Sequence, residues 1–165
     1  MSSRPVLNIK RSRLDIAIEI ISIAGVILSI ILLISQWSAI PDTIPIHFNL
    51  VGKSDRMGSK LTLLLFPAIG LVNYILLTVI NRFPNTFNYP WPITEENYAR
   101  QYQIAQNLLK WLKLEMVWLL AFIEWQTVRV ATGKSLLLNA GWLVAIIGII
   151  IGSVGYYFWQ AYRDR

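Results

Sequence analysis

The chain has 165 residues, of which 55% are hydrophobic and only 15% charged, well below the roughly 25% charged residues of soluble domains. A single water-soluble core does not account for that balance, and the absence of cysteine excludes disulfides, thiolate metal sites and cysteine nucleophiles. The formal charge of +6 calls for no nucleic-acid partner. Its basic residues gather at the ends of apolar segments, where anionic lipid headgroups attract them at about 1 kcal/mol each.

Taken in chain order, a basic leader (Arg4, Lys10, Arg11, Arg13) precedes an uncharged run over 20–40. As a helix this run is roughly 31 Å long, close to the ~30 Å hydrocarbon core of a bilayer. It is longer than the roughly 7–15 residues of a signal-peptide core, and Trp37 interrupts a small-x-small cleavage pattern. The segment reads as an uncleaved signal anchor, with a helix over about 16–40. Asp15 and Glu19, four residues apart, are expected to meet Arg11, Lys110 or headgroups rather than to form a proton relay.

Residues 41–60 are polar and hold the only histidine. Pro41 and Pro45 force their predecessors into extended backbone, so 44–49 reads as a short extended or edge strand. Gly52 and Gly58 mark turns, and Asp55 can close an Asx-turn two residues on. An ordered cap is expected rather than a loose tether. His47 with Asp42 and Asp55 has the donor types for a metal, but a lone histidine in no ligand spacing is thin support, and no metal or other cofactor is expected. The preferred reading is structural, with His47 bonded to Asp42 or Asn49; a proton-sensitive or ligand contact is the alternative.

A second apolar run over 61–81 gives the next helix, carrying Asn73 at mid-depth. Three prolines and several asparagines in 82–94 exclude regular structure there. Thr94 is an N-cap candidate with Glu95 and Glu96 behind it, so a third helix is expected over 95–131. Trp111, Trp118 and Trp125 recur every seven residues and share one face, whereas Lys110, Lys113 and Glu124 lie on the other. Glu115 and Glu124 are costly at membrane depth. Glu115 is expected near the inner interface with a lysine; Glu124 either reaches the outer interface or bonds Asn73 as an intramembrane site. The run over 135–162 supplies a fourth helix, about 136–162. Its Gly148 and Gly152 form a GxxxG that suits close packing within the bundle, with homo- or hetero-oligomer contact as the alternative.

Four crossings place ten basic residues on the side of the termini and five on the other, the asymmetry of the positive-inside rule. The fold class expected is an all-α single domain, 1–165, of four membrane helices. It has an outer loop over 41–60, a cytoplasmic connection over 82–94 and both termini cytoplasmic.

The string IPDTIPIHFNLVGKSDRMGSK at 40–60 closely resembles a signature, roughly LPDxIPxHFNxxGxxDxxGSK. That signature marks a bacterial domain of unknown function found at the N-terminus of SdpI-type bacteriocin immunity and signal-transduction membrane proteins. NYPWPITEEN at 88–97, with Gln101 and Tyr102, resembles a second stretch of short, stand-alone members. Ile40 replaces the signature leucine, and the second multi-helix region of SdpI-type proteins does not follow. The motif positions Asp42, Pro45, His47, Asn49, Gly52, Asp55 and Lys60 are therefore the candidate binding residues. Asn73, Glu115 and Glu124 are the intramembrane polar candidates, and none is assigned a catalytic role. The resemblance implies a non-enzymatic protein of a bacterial inner or other energy-transducing membrane, its outer loop engaging a peptide or protein. An accessory subunit of a larger membrane complex, docked through the tryptophan face, and a small intramembrane enzyme or proton-coupled transporter are the alternatives.

Overall fold

The computed structural model describes residues 4–7 and 11–165; Lys10 of the basic leader lies outside them. Four helices run in alternating directions: α1 (Arg13–Gln36), α2 (Leu65–Ile80), α3 (Tyr98–Ala131) and α4 (Ala140–Arg163). Between α1 and α2 sits an antiparallel hairpin of β1 (Thr43–Phe48) and β2 (Ser54–Ser59). The chain is thus not purely all-α. The extended backbone expected over 44–49 finds a partner in β2, and a 3-10 turn, Lys60–Leu64, leads from it into α2.

Local chemistry fixes the helix ends. Ser12 and Asp15 form a reciprocal capping box, satisfying two amides that would otherwise lack partners, so α1 starts at Arg13 rather than at 16. It stops at Gln36, and 37–40 turn back beneath the hairpin. Thr94 and Asn97 bond each other reciprocally and cap a turn ahead of α3, which therefore begins at Tyr98 and not at 95. Asn139 accepts from the Trp142 amide at 3.3 Å and starts α4 at Ala140, leaving 136–139 outside the helix.

Helix α3 is the central element, packing against α1, α2 and α4. On α1 the buried positions Ile18, Ser22, Gly25, Val26, Ser29 and Leu33 form one stripe. A Cβ on Gly25 would come within 2.8 Å of Val117, so the glycine admits the close approach of α3. Helix α4 buries none of its residues. Gly148 and Gly152 have no neighbour within 4 Å of where a Cβ would stand, so the GxxxG is not spent on packing inside the bundle.

Burial is inverted relative to a soluble protein. Ser22, Gln101, Lys113, Glu124, Gln126 and Thr127 are buried, whereas Trp118, Trp125 and many leucines and isoleucines are exposed. Such a surface suits lipid. Among the described residues, three helical segments are long and apolar enough to cross a membrane: Arg13–Gln36, Lys60–Ile80 and Ala140–Arg163. Helix α3 is longer but carries five charged residues from Lys110 to Arg129 and is not among them.

Candidate functional site

The hairpin is built by its turn. The Asn49 side chain accepts from the amides of Val51 and Lys53 at 3.1 and 3.0 Å, and the Asn49 carbonyl accepts from Gly52 at 2.8 Å. The Asx-turn thus belongs to Asn49, not to Asp55. Gly52 has a φ of +78°, the left-handed conformation that glycine adopts without strain. Gly58, expected at a turn, lies inside β2 opposite Ile44. A Cβ there would meet Ile46 at 2.6 Å.

Two side-chain pairs cross the hairpin. The His47 ring Nδ1 lies 2.5 Å from Asp55 Oδ1. A carboxylate only accepts, so Nδ1 carries hydrogen in this pair; the partner is neither Asp42 nor Asn49. Irregular pairing on both sides of His47 brings these side chains together. Asp42 instead takes the Lys60 ammonium at 2.9 Å. That ammonium also lies 5.2 Å above the Trp37 ring and 3.5 Å from the Ile40 carbonyl.

The hairpin is fastened to the helices in two places. At its base, Ile44 joins Leu33, Ile40, Leu63 and Val128 in a core edged by Trp37, Phe66 and Ala131; Pro45 beside it is buried. At its tip, the Leu138 amide donates to the Gly52 carbonyl at 2.9 Å, and a Cβ on Gly52 would overlap the Leu138 carbonyl oxygen. What remains free is the outward surface of Ile46, Leu50, Val51 and Met57, together with Lys53 and Arg56, which pair with no carboxylate among the described residues. The seven motif residues therefore sit in one element, and most of them serve to shape it.

The intramembrane candidates are scattered. Glu124 is buried and accepts from Ser29 of α1, while Asn73, the partner suggested by depth, leaves its own buried Oδ1 unbonded. Glu115 accepts from Ser153 of α4 at 2.5 Å rather than from a lysine. Sequence reasoning missed both serines; a hydroxyl inside an otherwise apolar helix was the only signal. It also missed Tyr74, which donates to Glu19 at 2.5 Å. Glu19 further takes Lys113 at 2.5 Å, and Asp15 takes Lys110 at 2.6 Å. In the 82–97 connection, burial and then the adjacent Tyr102 push the Tyr89 hydroxyl above its ordinary range; it donates to the Pro84 carbonyl.

Residues 24–71, which are the second half of α1, the hairpin and the start of α2, match the family described as "Domain of unknown function (DUF1648)". The second stretch at 88–102 lies beyond the match. An uncharacterized protein of Archaeoglobus fulgidus is 36% identical over 62 residues, covering 33% of this chain and 34% of that protein. The alignment thus spans about a third of that relative's length. No solved structure matches the chain.

Proposed function

We propose that the chain crosses the membrane four times and displays the hairpin outside as a non-enzymatic docking platform for a peptide or protein. Two tethers carry the topology. The Gly52–Leu138 bond holds the hairpin beside the α3–α4 loop. At the opposite end, the Gln101 side chain donates to Ala161 and Asp164 at 2.9 Å each, joining the start of α3 to the end of α4. Helix α3 therefore traverses the same thickness as its neighbours. Its buried lysine and glutamate and outward tryptophans are what a polar helix needs in order to insert among covering partners. The positive-inside asymmetry puts both termini and the 82–97 connection in the cytoplasm, the first helix serving as an uncleaved anchor in a bacterial inner or other energy-transducing membrane.

The docking role rests on one observation: the hairpin is pinned at base and tip, yet Leu50 is 98% and Met57 55% exposed. Apolar side chains on an immobilised element offer contact area at little ordering cost, and Lys53 and Arg56 beside them favour an acidic partner. Immunity or signalling of the SdpI type is the role that the motif resemblance over 40–60 adds to this reading. A photo-crosslinking residue at Leu50 or Met57 in intact cells should give one discrete adduct, lost when Lys53 and Arg56 are both replaced by Glu. Labelling no stronger than from an α4 position such as Ile149 would sink the proposal.

A second reading, an accessory subunit, is favoured by α4, whose apolar surface and glycines face no other element. It would show as comigration with a larger complex in mild detergent, lost in Gly148→Leu/Gly152→Leu while Lys53→Glu/Arg56→Glu comigrates normally.

A further inference from the structure

At the end of the bundle where α1 begins and α4 ends, α1, α2 and α3 with their flanking residues line a cavity of about 240 Å³. Six charged side chains line it: Arg11, Asp15, Glu19, Arg82, Lys110 and Lys113. The carboxylates are fully engaged. Asp15 accepts from Lys110 and from the Ser12 amide; Glu19 accepts from Lys113 and from the Tyr74 hydroxyl. Lys113 also donates to Thr78 at 3.0 Å. The two guanidinium groups pair with no carboxylate among the described residues, so the cavity carries two uncompensated positive charges from separate stretches of chain. Asn81 also lines it, and its Oδ1 is buried without a partner.

We propose that this cavity binds a phosphate-bearing ligand, either the phosphate of a lipid headgroup or free inorganic phosphate. A guanidinium presents a planar fork of donors that fits two phosphate oxygens, and two such forks facing one void suit a single doubly bonded anion. The space admits a phosphate group with some water, leaving any acyl chains outside against the helices. Lys110 and Lys113, already committed to Asp15 and Glu19, hold the walls in place.

The full-length protein in dodecyl maltoside micelles is titrated separately with inorganic phosphate, short-chain phosphatidylglycerol and short-chain phosphatidylcholine, following the thermal midpoint and the adduct mass by native mass spectrometry. Saturable binding of at least one phosphate probe is expected, weakened about ten-fold or more in Arg11→Gln/Arg82→Gln. Saturation by inorganic phosphate identifies the free anion, by phosphatidylglycerol alone an anionic headgroup, and by both lipids alike a headgroup phosphate irrespective of lipid charge. Both arginines are exposed, so their loss removes no packed side chain, and the single variants give the same reading if the double variant does not fold. Non-saturating response to every probe, or affinity in the variants within about two-fold of the parent, overturns the proposal.

Discussion

The Leu138 amide reaches across the top of the bundle to the Gly52 carbonyl at 2.9 Å, so a turn glycine of the hairpin bonds a residue 86 positions later. Gly52 is doubly constrained, by its φ of +78° and by the Leu138 carbonyl oxygen standing where a Cβ would be. Gly52→Ala is expected to cost about 2 kcal/mol or more and to release the tip. Thermal unfolding in detergent, with protease sensitivity between 49 and 54, checks it; an unchanged midpoint would contradict the tether.

At the hairpin base, burial outweighs charge. Ile44 is fully buried in the core it shares with Leu63, so Ile44→Ala is expected to lose about 2–4 kcal/mol. His47 and Asp55 keep 60% and 46% of their side-chain surface exposed, and His47→Ala should cost less than about 1 kcal/mol. Equilibrium unfolding of the two variants side by side is expected to rank them in that order.

The Lys113–Glu19 pair makes the opposite case. Lys113 is 2% exposed, and removing its partner leaves a buried ammonium without a counter-charge, held only by Thr78 and the Tyr74 ring. Glu19→Ala should therefore destabilise by about 3 kcal/mol, while Glu19→Ala/Lys113→Leu should recover part of that loss. If the double variant equals the sum of the single variants, the pair is not coupled as the geometry implies.

The parts of the fold legible in the sequence were those governed by short-range chemistry. Apolar length located three helices, two of the three heptad tryptophans, Trp118 and Trp125, marked the exposed side of α3, and Pro45 announced the extended backbone of β1. Strand β2 was not legible. Ser54–Ser59 reads SDRMGS, with neither alternation nor β-branched residues, and it is extended only because the Asn49–Gly52 turn sets it against β1. The His47 partner followed from that pairing and could not precede it. Glu124 and Glu115 found serines 95 and 38 residues away, choices made by helix packing among many equivalent hydroxyls. The GxxxG motif was legible as a motif but not in its use, since only the assembled bundle shows that Gly148 and Gly152 face no other element.

Because the chain lacks cysteine, single cysteines introduced into it report position without background. With a membrane-impermeant thiol reagent on intact cells, Ser54→Cys in the hairpin and Ser135→Cys in the α3–α4 loop should both be labelled. Pro92→Cys and Arg165→Cys should be labelled only after permeabilisation. Labelling at 54 but not at 135, or at 165 in intact cells, would mean that α3 does not cross, and the four-helix topology would fail.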